Sequence, residues 1–190
     1  VMTAYNHELQ TIKSMGALAQ SILGQSSPIP CQILLADDCS PEADFREVYR
    51  PPSPITVLRH AKRQGSYGGN CNETFRVMDH GSIGSDTIVV FMNSDVCAQP
   101  EWLAPILEVF DQEPKAAVVG PKLIFENSTL QSCGGYYDSG RGPFHRYLGW
   151  RPDYKLANRT EQVSWVTGAV FAVRSQVFRD LRGFDEAYEG

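Results

Sequence analysis

Two short apolar runs, each stopping on carboxylates, constrain the fold of this chain more than any other feature. Cys31-Gln32-Ile33-Leu34-Leu35-Ala36 runs into Asp37-Asp38-Cys39-Ser40, and Thr87-Ile88-Val89-Val90-Phe91-Met92 runs into Asn93-Ser94-Asp95. Apolar, β-branched runs of this length between polar residues read as strands buried on both faces, the pattern of a parallel sheet. In open α/β sheets the ligand crevice lies beyond the carboxyl ends of the strands. Two Asp-tipped ends therefore predict a site for a cation, a nucleotide or both.

Strands and helices alternate through the first half. Residues 1–5, 32–36, 55–59 and 88–92 read as strands, and 7–23, 70–80 and 102–110 as helices. Leu9, Ile12, Met15, Ala19 and Ile22 fall on one face of the first helix. Asn6 is placed to cap it, and Ser40-Pro41-Glu42 reads as the start of a short helix with Pro in its first turn. Residues 24–30 form a loop, Pro51-Pro52-Ser53-Pro54 a rigid connection, and residues 65–69 a glycine-rich turn. This alternation argues βαβ units and an α/β fold whose mostly parallel central sheet is flanked by helices. From residue 116 the pattern changes: 116–120 and 121–125 suggest a bent strand, and 131–153 is too irregular for a regular element. Residues 162–173 return to a strand-like run, and 175–181 read as a short helix. A length of 190 residues suits one domain. It divides into a nucleotide-type half, 1–115, and a substrate-type half, 116–190.

A formal net charge of −5 argues against a nucleic-acid-binding surface. No apolar run approaches the roughly 20 residues of a membrane span, and no secretory pattern opens the chain. The cysteines, Cys31, Cys39, Cys71, Cys97 and Cys133, contain no C-x-x-C pair and make neither zinc spacing nor a disulfide framework. They read as reduced structural thiols of a cytoplasmic protein. Both ends look cut, since Val1-Met2-Thr3-Ala4-Tyr5 resembles the later part of a strand and Gly183-Phe184-Asp185-Glu186-Ala187-Tyr188-Glu189-Gly190 carries no stop signal. The expectation is a piece of a longer protein.

Asp37, Asp38 and Asp95 are the main chemical candidates. Mg²⁺ or Mn²⁺ takes hard oxygen ligands, usually one or two carboxylates plus substrate phosphates. Each motif alone fits a turn equally well; the same placement at two strand ends favours a site. The run Arg63-Gln64-Gly65-Ser66-Tyr67-Gly68-Gly69-Asn70 could let backbone approach a phosphate or substrate closely, but it is neither a dinucleotide fingerprint nor a P-loop. His7, His60 and His80 read as surface or loop residues. His145, in Gly142-Pro143-Phe144-His145-Arg146-Tyr147, sits where aromatics and Arg could stack a sugar or bind phosphate, or form a packed loop. In Trp165-Val166-Thr167-Gly168-Ala169, Gly168 allows close approach of a ligand or marks a bulge.

Taken in order, these pieces resemble the family-2 nucleotide-sugar glycosyltransferases of the GT-A fold, in their rhamnosyltransferase-like branch. The resemblance rests on Thr3-Ala4-Tyr5-Asn6, Leu35-Ala36-Asp37-Asp38-Cys39-Ser40, the Gly65–Asn70 run, and Asn93-Ser94-Asp95 with Pro100-Glu101-Trp102-Leu103. It continues through Val119-Gly120-Pro121-Lys122-Leu123, Cys133-Gly134-Gly135, Val166-Thr167-Gly168-Ala169 and Gly183-Phe184-Asp185-Glu186. It implies that Asp37 and Asp38 contact base and ribose, that Thr3 and Tyr5 border the base, and that Asn70 and Ser94 join the nucleotide site. Asp95 would hold the metal–diphosphate, with Mg²⁺ or Mn²⁺ as cofactor, and Trp165, Thr167 and Gly168 would face the acceptor. The implied reaction is inverting transfer from a UDP- or dTDP-sugar to a glycan or lipid-linked acceptor, in polysaccharide biosynthesis at the cytoplasmic face of the membrane. Peripheral membrane association would come through segments outside this chain.

Two departures matter. Asn93 takes the first place of the family's D-x-D motif, leaving one carboxylate there. The catalytic base is expected just after the Phe-Asp-Glu run, beyond Gly190, so no catalytic residue is assigned. Asp185 and Glu186 are structural in the family pattern. The 190-residue chain is therefore expected to bind donor with little or no transfer. The alternative is a non-catalytic GT-A module that serves as a binding or scaffold domain. A nucleotidyltransferase ranks last, because Asn6-His7-Glu8 stands where its basic glycine loop would be.

Overall fold

The computed structural model describes residues 1–25, 29–80 and 83–188. In chain order the elements are β1 (Met2–Ala4), α1 (Glu8–Leu23), β2 (Ile33–Asp37), α2 (Phe45–Val48), β3 (Ile55–Arg59), α3 (Tyr67–Met78), β4 (Ile88–Asn93) and α4 (Leu103–Gln112). There follow β5 (Val118–Val119), β6 (Leu123–Ile124), β7 (Leu130–Ser132), β8 (Gly135–Asp138), β9 (Gly142–His145), β10 (Val170–Arg174) and α5 (Ser175–Asp180). Six of the strands form one sheet in the order β3-β2-β1-β4-β10-β5. β3, β2, β1 and β4 run parallel, whereas β10 pairs antiparallel with both β4 and β5. The mostly parallel sheet expected from the sequence is present, and the antiparallel β10 makes it mixed.

Helices cover both faces because successive strand residues point to opposite sides. On β10, Phe171 and Val173 join Phe75 of α3 and Phe178 of α5. Val170 on the other face meets Met2, Leu35 and Met92 beneath Met15 and Leu18 of α1, and Ala172 packs under Ile106 and Phe110 of α4. The ring centroids of Phe75 and Phe178 are 4.7 Å apart, and those of Phe91 and Phe178 5.2 Å. Each such buried side chain contributes about 1.5–3 kcal/mol, so this interior fixes the sheet on which the site is mounted. Burial pushes the Cys71 thiol up to about 12, which keeps it protonated.

Several local expectations change. Asn6 does not cap α1: Asn6 and His7 both take left-handed backbone (φ 54° and 51°), and His7 stands at the cap position without a side-chain bond. The Asn6 amide oxygen instead accepts from the Glu42 N–H at 3.3 Å. The buried face of α1 is Thr11, Ser14, Met15, Leu18 and Ser21, leaving Leu9 84% exposed. The short helix begins at Phe45, capped by Asp44, because Ser40 is engaged with Asp37. α3 starts at Tyr67, where the Ser66 hydroxyl accepts from the Gly69 N–H at 3.0 Å.

The irregular-looking stretch 131–153 holds regular structure. β7 pairs with β6, and β8 with β9 form a hairpin whose turn is closed by Asp138, which accepts from the N–H groups of Gly140 and Arg141. Of 162–173, only the part from Val170 is a named strand. His60 is buried, not at the surface. Residues 26–28 of the loop 24–30 and residues 189–190 of the last landmark lie outside the described residues. No helix among the described residues is long and apolar enough to cross a membrane.

Candidate functional site

From β1 the chain builds β2 and β3 on one side, then crosses back to place β4 on the other. The end of β1 is thus the switch point at which α/β sheets open a crevice. Register brings both Asp-tipped ends to it: Ala4 lies beside Asp37, and Thr3 beside Asn93. Two strand spacings separate the ends, about 10 Å. Backbone strain gathers at the same edge, with Asn6, His7 and Cys39 (φ 61°) all left-handed. Such residues cost of order 1–3 kcal/mol each and persist only where surrounding contacts dictate them.

The β2 end is heavily tied. The buried Asp37 accepts from the Ser40 N–H at 3.0 Å and the Ser40 hydroxyl at 2.5 Å through Oδ1, and its Oδ2 takes the Arg59 guanidinium at 2.7 Å. Ser40 Oγ in turn accepts from the Asn6 N–H at 2.7 Å, joining the β1 and β2 ends. Asp38, also buried, accepts from the Gln64 N–H at 2.7 Å and the Gly65 N–H at 3.3 Å, holding the glycine-rich loop against the crevice. That loop lays the Arg63 guanidinium 3.9 Å from the centroid of the Tyr5 ring.

The β4 end is open. Asn93 and Ser94 are half-buried and Asp95 is exposed. The Asp95 carboxylate has no protein partner among the described residues. Backbone ties this end to the loop that precedes β10, since the Asn93 N–H donates to the Ala169 carbonyl at 2.9 Å. In that loop the Thr167 hydroxyl accepts from the Ala169 N–H at 3.2 Å. A Cβ on Gly168 would lie 3.6 Å from the Tyr67 ring in the first turn of α3. Thr3 is buried in β1 with its hydroxyl 3.5 Å from the Met92 carbonyl.

Two candidates are committed elsewhere. Asn70 is buried, its amide oxygen 2.9 Å from His60 Nε2 and 3.3 Å from the Thr74 hydroxyl, which pins the end of β3 to α3. Trp165 braces the hairpin: its backbone pairs with Gly135, its indole N–H donates to the Tyr136 carbonyl at 3.3 Å, and its ring meets His145 edge-on at 4.6 Å. Reading the sequence assigns no individual site role to Arg59, at the end of a strand, or to Arg63, at the head of the glycine-rich run. Arg59 meets Asp37 only through the β2–β3 register, which no local signal announces, and nothing local ties Arg63 to Tyr5.

Among the described residues no three His, Cys, Asp or Glu side chains form a metal cluster. One exposed carboxylate fits the mode in which a hard cation takes a single protein ligand, with phosphates and water completing the shell.

The profile of glycosyl transferase family 2 matches residues 1–181. The chain belongs to that family. An N-acetylglucosaminyl-diphospho-decaprenol L-rhamnosyltransferase of Mycobacterium tuberculosis is 27% identical over 175 residues, covering 84% of the chain and 57% of the relative. The chain thus spans little more than half the length of that family member. Staphylococcus aureus TarS 1–349, solved with UDP, superposes with a TM-score of 0.62 at 20% identity over 100% of this chain and 50% of its own. The mannosyltransferase PcManGT of Pyrobaculum calidifontis, solved with GDP-Man and Mn²⁺, gives 0.62 at 16% identity over 97% and 46%. These likenesses establish the GT-A fold.

Proposed function

We propose that the crevice at the end of β1 binds the nucleoside diphosphate of a UDP- or dTDP-sugar, and that the full-length protein transfers the sugar to a glycan or lipid-linked acceptor. The observation carrying this reading is the register that sets a rigid acidic end and an open acidic end on either side of β1. Tyr5 and Thr3 border the base. Asp38 meets the base or ribose, because each of its oxygens accepts one backbone N–H and keeps a lone pair. Asp37 stands behind it, held by Arg59. Ser94 and Asp95 face the diphosphate; Asp95 would be the protein carboxylate on Mg²⁺ or Mn²⁺, whose charge offsets that of the leaving diphosphate. Thr167 and Gly168 border the acceptor, with Trp165 bracing the hairpin behind them.

Inverting transfer needs a carboxylate within about 3 Å of the acceptor hydroxyl. Asp185 and Glu186 already have partners: Asp185 accepts from the nearby Ala187 N–H at 2.9 Å, and Glu186 from the side-chain amide of Asn72 on α3 at 2.9 Å. Neither carboxylate of that run is free, so no catalytic base is assigned among the described residues. The reading places the protein in polysaccharide biosynthesis at the cytoplasmic face of the membrane.

Calorimetry with UDP and dTDP, with and without Mn²⁺, tests the donor site. Binding should require the metal and weaken about tenfold or more, roughly 1.4 kcal/mol, in Asp38→Ala and in Asp95→Ala. Failure to bind any nucleoside diphosphate would sink the proposal.

A further inference from the structure

A second surface, made by residues to which the donor site assigns no role, carries chemistry that donor binding does not use. Over the whole chain acidic residues outnumber basic ones, 22 to 17. Within residues 141–159 the balance reverses: Arg141, Arg146, Arg151, Lys155 and Arg159 stand against Asp153 alone. Arg146 is buried and paired with Glu161. Arg151 pairs with Asp153, but both side chains are highly exposed, so solvent screens the pair. Arg141, Lys155 and Arg159 are exposed and make no ion pair among the described residues.

The same segment projects apolar side chains. In the turn of residues 147–150 the Trp150 N–H donates to the Tyr147 carbonyl at 3.0 Å, with Tyr147 and Gly149 in left-handed backbone (φ 51° and 80°). Leu130 braces the turn through two backbone bonds of 2.8 Å, to Gly149 and Trp150. The turn leaves Leu148 52% and Trp150 51% exposed. The Trp150 ring is steadied from behind by Tyr154, with centroids 4.6 Å apart. A groove of about 630 Å³ beside it is lined by Trp150, Arg151 and Lys155 among others. A single exposed apolar residue means little. A braced turn that holds Leu and Trp out, with the unpaired Lys155 lining the same groove as Trp150 and further unpaired cations at Arg141 and Arg159 in the same segment, matches the interface of an anionic bilayer. There the indole sits at headgroup level and Lys and Arg meet the phosphates.

We propose that residues 141–159 dock this protein on an anionic membrane surface, with Leu148 and Trp150 entering the interface and Arg141, Lys155 and Arg159 meeting lipid phosphates. The docking is independent of the donor site and needs no segment outside this chain.

Co-sedimentation with vesicles of phosphatidylcholine and of phosphatidylcholine mixed with phosphatidylglycerol tests it. The chain should pellet with the mixed vesicles, stay in solution with the neutral ones, and be released by salt. Leu148→Asp, at an exposed turn tip, should weaken vesicle binding about tenfold, and the combined Arg141→Glu, Lys155→Glu, Arg159→Glu variant at least as much. Circular dichroism and thermal melting of each variant check that the fold is kept, and UDP affinity should match the parent chain. Equal pelleting with both vesicle types, no pelleting with the mixed vesicles at low salt, or parent-like binding by both variants overturns the proposal. So does binding of a soluble oligosaccharide at Trp150 without any vesicle binding. Loss of UDP binding with vesicle binding intact would instead count against the donor-site reading alone.

Discussion

The two acidic strand ends look alike in sequence and differ sharply in the fold. At β2, Asp37 and Asp38 are buried and accept from Ser40, Arg59, Gln64 and Gly65. At β4, Asp95 is exposed and has no protein partner among the described residues. One end is built before any ligand arrives, whereas the other presents a carboxylate whose solvation a ligand must replace. A rigid wall suits recognition of a flat, uncharged base. An open carboxylate suits a hydrated cation, which dehydrates reluctantly and brings most of its own ligands.

Substitutions can break this contrast, beginning with stability. Asp37→Ala should be the most damaging, because it leaves the Arg59 guanidinium, only partly exposed, without its carboxylate. Removing one partner of a fully buried pair costs about 3–5 kcal/mol, and the access of Arg59 to water lowers the expectation to about 2–3 kcal/mol, read by urea unfolding. Asp38→Ala should cost about 1–3 kcal/mol by stranding two backbone N–H groups, and nucleotide affinity should fall with it in calorimetry. Arg63→Ala should cost about 0.5–1 kcal/mol, the size of an exposed cation–π contact; a thermal melt checks this. Asp95→Ala should change stability by less than about 0.5 kcal/mol yet abolish the effect of Mn²⁺ on nucleotide binding. Equal destabilisation by Asp37→Ala and Asp95→Ala would erase the distinction between the ends.

The alternating half of the chain was legible because apolar period and turn residues report directly on buried strands and covering helices. The strands at 55–59 and 88–92, the helix at 102–110 and the two acidic ends follow from that pattern. Partners brought together by register were not legible. The Asp37–Arg59 pair spans 22 positions, and no local signal links Arg63 to Tyr5. Asn6 and Ser40 misled because side chains suited to capping can bond across strand ends instead: each found a partner over thirty residues away. His60 and Asn70 read as surface and ligand groups, yet they satisfy each other in the interior. The hairpin of β8 and β9 was hidden by glycines and aromatics, since Gly135 owes its identity to a distant ring. A Cβ there would come within 2.1 Å of the Trp165 indole.

The place of β10 bears on how the molecule comes into being. It sits between β4 and β5, and Arg174 at its end donates to the Phe110 and Ala116 carbonyls, which lie far earlier in the chain. A nascent chain that had reached only residue 115 would hold all four parallel strands but leave one side of β4 as an open, adhesive edge. Synthesis must deliver residue 174 before that edge is covered, so residues 1–115 cannot mature ahead of the segment that ends in β10.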